Sequence, residues 1–322
     1  MDSPSIARAW KSEIVNHQDT KTPGLLLCVF VSLWLSPVLE MKISVLGSGS
    51  TGNSVLLVAN GTRVLVDAGL SARETVRRMS MLGEDASSLD GILITHEHGD
   101  HAGGLRVLIK DLDQMKRGRG DCPIFMSAKT RNAYVCERRN IANDEPRRRS
   151  EALRDRVVEI DSGHDFRIGE IDFHPFTVPH DAVDNFGFTA THDGVKIATL
   201  LDFGHITTLI TERLRGCAAI VIESNHSRDM LKTVEHYPWE LKQRILSRLG
   251  HLSNEDIAEW LLDGFDGQAR HIVLAHLSQR ANNPYLAKIT AESALQERSP
   301  LFAGDTEITL SFPKEATAWI EV

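Results

Sequence analysis

Between Thr95 and Gly104 the chain reads THEHGDHAGG, which puts four candidate metal ligands, His96, His98, Asp100 and His101, within six residues. Neutral imidazoles suit Zn²⁺, and carboxylates balance its charge. Four donors packed this closely on one loop cannot all reach a single tetrahedral ion, so the spacing points to two ions a few ångströms apart. Such a pair lowers the pKa of a bridging water toward ~7 and clamps both the attacking and the leaving oxygen of a displacement. Zn²⁺ is the first expectation and Mn²⁺ the second, because both accept these donors. Asp100 is in addition a candidate catalytic carboxylate. Gly99, Gly103 and Gly104 are expected to permit the tight backbone that such clustering requires. Four more candidates directly follow apolar runs: Asp67 in VLVDAG, His180 in TVPHDA, Asp202 in TLLDFG and His276 in VLAHLS. The leaving group of a hydrolysis needs a proton, and His226 in IESNHS and His251 in RLGHLS are the candidate general acids.

These residues need elements to position them. From Met41 the pattern alternates short apolar runs with Gly-Ser and Asn-Gly punctuation, which predicts strands over 42–46, 54–58 and 63–66. A helix is predicted over 71–82, a buried strand over 91–95 running straight into the histidine cluster, and a helix over 102–112. Strand signals resume at 157–160, 171–176, 186–191 and 196–200, with Asp193-Gly194 as a hairpin turn between the last two. Further buried strands are predicted at 218–223 and 271–275, with helices at 238–249 and 253–262 between them. Ser253 followed by Asp256 is a capping-box spacing. Two halves, each a meander followed by helices, predict sheet packed on sheet with helices outside. GSGSTGN (47–53) lacks the lysine of a Walker motif and is read as a strand-connecting turn near the active site.

HxHxDH at a strand end is the signature of the metallo-β-lactamase superfamily, and the chain resembles that superfamily through Asp67, His180, Asp202 and His276 as well. The resemblance implies an α+β fold, an αββα four-layer sandwich over residues 41–322. It implies one metal site of His96, His98, His180 and Asp202, and a second of Asp100, His101, Asp202 and His276, with Asp202 bridging. Asp67 is then expected to orient the ligand histidines from behind. An aspartate at the fourth motif disfavours the β-lactam-hydrolysing branch, which commonly uses a thiolate there. Longer segments, GSGSTGNSVLL, ESNHS, LKQRILSRLGHLSNEDIA and LAHLSQRANNP, are similar to the YycJ/WalJ subgroup. That similarity implies a metal-dependent exonuclease acting on double-stranded DNA from the 5′ end. The alternative on the same metals is a small-molecule hydrolase of a thioester, lactone or cyclic phosphodiester. A non-catalytic module on this fold would be expected to have lost ligands.

Composition sets the outer bounds. The chain has 322 residues and a net charge of −8, so no global basic field draws it to nucleic acid. Residues 106–149 are the local exception, with twelve Lys/Arg against six Asp/Glu, a net of +6. That stretch is either a solvated loop or a phosphate-contacting surface. Four scattered cysteines with no CxxC pair argue against a thiolate zinc site and a disulfide framework, and point to the cytoplasm. The uncharged run Gly24 to Leu39 is shorter than the ~20 residues that span a bilayer, and no membrane partner is expected. Residues 1–40 are expected to be an N-terminal extension, disordered or lying upstream of the natural start at Met41.

Overall fold

The computed structural model describes residues 41–115, 121–136, 144–298 and 305–322. Its first sheet is built from β1 (Met41–Gly47), β2 (Ser54–Ala59), β3 (Thr62–Val66), β4 (Gly91–Leu93), β5 (Ile124–Met126) and β6 (Val157–Glu159). The second contains β7 (Phe166–Ile168), β8 (Ile171–Thr177), β9 (Phe186–His192), β10 (Val195–Leu200), β11 (Ala219–Glu223), β12 (His271–Ala275) and β13 (Glu307–Leu310). β14 (Ile320–Glu321) returns to the edge of the first sheet beside β1. Both sheets share one pattern. Strands β14 to β3 pair antiparallel and β3 to β6 parallel, just as β7 to β10 pair antiparallel and β10 to β13 parallel.

Side-chain alternation divides each strand between two cores. Val55, Leu57 and Ala59 of β2 and Val64 and Val66 of β3 meet Ile197, Val221 and Val273 of the second sheet in the central layer. Leu56, Val58 and Leu65 face the outer helices of the first half. Ala198, Ile220, Ile222 and Leu274 do the same in the second half, against Ile257, Trp260 and Leu261 of the helix Asn254–Asp263. Strands covered on both faces must be apolar throughout, which is why these runs read as continuous rather than alternating. The result is helix, sheet, sheet, helix, the four-layer αββα sandwich expected from the sequence.

The predicted strands are all present, and Ser253 with Asp256 forms the full capping box. The helix predicted over 238–249 is shorter, Trp239–Ile245. The chain doubles back at Gly250, where a Cβ would stand 2.2 Å from the Arg244 and Ile245 carbonyl oxygens. Where it is described, the basic stretch is mostly helical rather than a loop, in Leu105–Met115, Ala128–Cys136 and Glu145–Leu153, with β5 between the first two. Its arginines have acidic neighbours: Arg106 and Arg149 pair with Glu145, Arg148 with Asp144, and Arg147 with Asp144 and Glu151. Residues 116–120 and 137–143 of that stretch, and the extension and apolar run within 1–40, lie outside the described residues. Among the described residues no helix is long and apolar enough to cross a membrane.

Candidate metal centre

The candidate residues collect at the carboxyl ends of the parallel strands of both sheets. Asp67 follows β3, His96 lies just beyond β4, Asp202 beyond β10 and His276 beyond β12. Asp67, Asp202 and His276 all have left-handed backbone, with φ of 64°, 55° and 53°. Non-glycine residues hold that conformation at a cost, and only where neighbours over-determine it. The neighbours are present. Asp67 N donates to Leu93 O at 2.8 Å, His276 N to Ser48 Oγ at 2.8 Å, and Asn185 Nδ2 to Asp202 O at 2.6 Å.

The HxHxDH loop is clamped by backbone contact. His98 caps a single helical turn, Gly99–Ala102. Asn53 N donates to Asp100 O at 2.7 Å, Ala68 N to His101 O at 2.7 Å and Gly104 N to Ala68 O at 2.8 Å. A Cβ on Gly69 would sit 1.7 Å from Asp100 O, and one on Gly104 would sit 1.8 Å from Leu70 O. Of the glycines expected to matter, Gly103 and Gly104 are crowded, while a Cβ on Gly99 would meet open space.

Around Asp202 the structure brings together seven candidates: His96, His98, Asp100, His101, His180, Asp202 and His276. Donor atoms of His96, His98, His180 and Asp202 lie within 4.8 Å of one another, and so do those of Asp100, His101 and Asp202. Asp202 Oδ2 is 3.8 Å from His96 Nε2, 3.7 Å from His180 Nε2 and 3.2 Å from His101 Nε2. The histidines are tied through Nδ1. His101 Nδ1 lies 2.7 Å from Asp67 Oδ2, His276 Nδ1 2.8 Å from Glu223 Oε1, His96 Nδ1 2.9 Å from Thr95 Oγ1 and His180 Nδ1 3.3 Å from Gly250 O. Their Nε2 lone pairs are thereby turned toward Asp202 and Asp100, as metal-ligating imidazoles are.

Two observations fit this donor set to a cation. His96 Nε2 and Asp202 Oδ1 are buried without a hydrogen-bond partner. Asp202 Oδ1 approaches His276 Nδ1 to 2.6 Å, but that ring N–H is spent on Glu223, so the approach is not a hydrogen bond. A buried acceptor left in this state costs free energy that a positive ion would recover.

The electrostatics agree. Burial, with His101 beside it, pushes the His96 pKa well below the ordinary imidazole value. Burial lowers His180 in the same way. It opposes protonation of His101 and His276 too, but Asp202 and the neighbouring carboxylates outweigh it and raise both well above the usual range. Burial opposes ionisation of Asp202, yet His276 and His101 hold it well below the carboxylate range.

The two candidate acids part company. His251 lines the pocket above Asp202, about 340 Å³ in volume, alongside His98, Asp100, His180 and His276. Its Nδ1 lies 2.7 Å from Glu223 Oε1. His226 does not line that pocket. It is 1% exposed, neither ring nitrogen has a partner, and burial pulls its pKa down to about 4.

Three residues behind the site carry no role in the sequence reading. Glu223 is fully buried at the end of β11, where Oε1 accepts from His251 and His276 and Oε2 accepts from Phe203 N at 2.8 Å. Its signal in sequence is the one Asp67 also gives, a carboxylate closing an apolar strand (AIVIE). Asn53 and Ser48 sit in the GSGSTGN turn. Asn53 Nδ2 is 3.0 Å from His101 Nε2, and its Oδ1 accepts from Ser48 Oγ at 2.9 Å. That turn is indeed a strand connection against the active site, and it braces both the HxHxDH loop and His276.

Residues 62–277 match the family model of the beta-lactamase superfamily domain. The exodeoxyribonuclease YycJ of Bacillus anthracis is 34% identical over 258 residues, which cover 80% of this chain and 90% of that protein. The exodeoxyribonuclease WalJ of Streptococcus pneumoniae is 32% identical over 281 residues, 87% of this chain and 98% of that protein. The metallo-β-lactamase-fold protein YhfI of Bacillus subtilis superposes with a TM-score of 0.62 at 13% identity, over 88% of this chain and all of that one. The chain therefore belongs to the metallo-β-lactamase-fold superfamily, as a metal-dependent hydrolase of the YycJ/WalJ family.

Proposed function

We propose that the chain is a 5′-to-3′ exonuclease of double-stranded DNA. Two Zn²⁺ ions, or Mn²⁺ in their place, would be held by His96, His98, His180 and Asp202 and by Asp100, His101, Asp202 and His276. Residues 41–322 are the hydrolase domain, and 1–40 an extension to it. The observation that carries the reading is the position of Asp202. This buried carboxylate has ring nitrogens of His96, His101, His180 and His276 all within 4 Å, at the floor of an open pocket. The YycJ and WalJ relatives, both named exodeoxyribonucleases, support DNA as the substrate. Free Cys136 and Cys217 support a reducing, cytoplasmic setting.

Bound ions would supply Lewis-acid polarisation of a phosphoryl oxygen and a nucleophilic water at neutral pH. The chain's residues do the rest. Asp67 and Glu223 fix the tautomers and orientations of His101 and His276. His251, at the pocket wall, would donate a proton from Nε2 to the departing oxygen. Burial lowers its pKa, but Glu223 outweighs burial and raises it above the ordinary imidazole value, which keeps a proton available near neutrality.

The test offers metal-loaded protein an end-labelled duplex, bis(p-nitrophenyl) phosphate and a glutathione thioester, with an Asp100→Ala/His101→Ala double variant as control. Mononucleotides released from the 5′ end by the wild type alone are the expected result. Duplex degradation equal in the double variant would refute the assignment, as would turnover of the thioester only. His251→Ala should slow the duplex far more than the p-nitrophenyl ester, whose leaving group departs without a proton.

A further inference from the structure

One wall of the catalytic pocket is apolar. Leu241 and Ile245 stand four residues apart and share a face of the helix Trp239–Ile245, and Tyr237 comes just before its N-cap, Pro238. All three line the pocket that holds Asp100, Asp202 and His276. An apolar row at this spacing ordinarily packs on a core. Here it does not: no residue of the helix is buried, and none of the three belongs to the hydrophobic clusters that hold the sheets together. The helix is attached by polar contacts instead. Arg244 Nε meets Asp181 Oδ2 at 2.5 Å, Lys242 Nζ donates to Lys232 O at 2.7 Å, and His251 N donates to Ile245 O at 3.0 Å. Arg244 also lines the pocket, and no other Lys or Arg does among the described residues.

A phosphoryl-transfer centre has no use for an apolar wall unless the substrate carries an apolar face beside its phosphate. A nucleoside does. The pocket volume of about 340 Å³ also sets the scale. A B-form duplex, whose major groove alone is ~12 Å wide, does not enter such a space, whereas one nucleotide does.

We propose that Tyr237, Leu241 and Ile245 are the docking face for the base and sugar of the strand's terminal nucleotide, with Arg244 at the edge to meet a phosphate. This rests on the exonuclease reading and deepens it. The terminal nucleotide leaves its pair and its stack to be cut, and the Tyr237 ring replaces the lost stacking. Arg244 meets Asp181 through Nε and keeps further guanidinium N–H donors, which contact a phosphate without sequence preference, so the wall selects for the presence of a base and not for its identity.

The experiment compares two end-labelled duplexes, one with ordinary ends and one with abasic residues at every terminal position. Binding is measured by fluorescence anisotropy with wild-type protein in EDTA, and KM and kcat with metal-loaded protein. Wild type should favour ordinary ends by about tenfold in both Kd and KM, the scale of one base–aromatic stack. Tyr237→Ala and Leu241→Asn should lose most of that preference while handling the abasic duplex within about twofold of wild type. Met81→Ala, an apolar change on the exposed end of the helix Ala72–Met81 and outside the pocket lining, should keep the preference. If wild type binds and digests both duplexes equally, the docking face is refuted while the exonuclease reading stands. If the variants weaken both duplexes alike, the wall is structural and the proposal fails. If neither duplex is digested, the exonuclease reading falls and the proposal falls with it.

Discussion

Replacing Glu223 with glutamine tests how the centre is held. The side chain is fully buried, so Glu223→Gln preserves volume and changes only charge and hydrogen bonding. Burial alone would push this carboxyl up, but His251 and His276 outweigh it and hold the pKa down to about 2, so it is an anion with four acceptor positions in use. Oε1 takes two imidazole N–H groups, and Oε2 takes Phe203 N at 2.8 Å and Leu252 N at 3.4 Å. Glutamine keeps one oxygen. If that oxygen faces the histidines, its NH₂ confronts the Phe203 and Leu252 amides, leaving one firm and one marginal donor unsatisfied. Each orphaned buried donor costs about 1–3 kcal/mol, so the loss should be about 2–4 kcal/mol. At roughly 2–4 °C per kcal/mol for a large domain, metal-free protein should melt about 5–15 °C lower. With metal, the misdirected His276 and His251 should cost about 10–100-fold in rate. The assay is a thermal melt in EDTA beside an initial-rate measurement on duplex DNA. A melting point within about 2 °C of wild type, with an unchanged rate, would refute the claim that Glu223 fixes the two rings.

Asp67→Asn should cost about 10–100-fold in rate and lower bound metal, measured by elemental analysis, because His101 loses the acceptor at its Nδ1. Gly69→Ala should abolish activity in a protein that still folds, since its Cβ collides with Asp100 O and moves that carboxylate out of register; full metal occupancy with full activity would contradict it. In the pH profile of wild type, the rate should fall above the raised pKa of His251, where the acid has lost its proton. Glu223→Gln should move that falling limb to lower pH, since Glu223 is what outweighs burial there. Among the described cysteines, Cys136 is exposed and should alkylate rapidly in native protein at pH 8. Buried Cys217, whose thiol burial pushes up to about 12, should react only on unfolding, as peptide mapping would read out.

What the sequence conveys follows from where its signals are local. Strands buried on both faces, such as Ala219–Glu223 and His271–Ala275, announce themselves as apolar runs, and the polar residue that ends each run is where the site lies. Ile124–Met126 and Phe166–Ile168 are three residues long, too short to show a period; the first pairs with strands distant in sequence, and the second is visible only through its hairpin with β8. Ile320–Glu321 is a strand only because β1 offers an edge. His226 and His251 look alike as letters. Only the chain path, with His226 bridged to Ser253 beneath the helix Asn254–Asp263, turns one inward and leaves the other at the pocket. Glu223 has a legible position but an illegible role, because the histidines that need it arrive from residues 251 and 276.

The left-handed backbone at Asp67, Asp202 and His276 bears on how this protein can change. At each position glycine would relax the chain, by an amount on the order of 1 kcal/mol or more. Asp202→Gly would also remove a buried carboxylate, so the most thermostable neighbours of this sequence are expected to include inactive ones. Screening variants by melting temperature alone would then walk the protein away from catalysis, one relaxed strand end at a time.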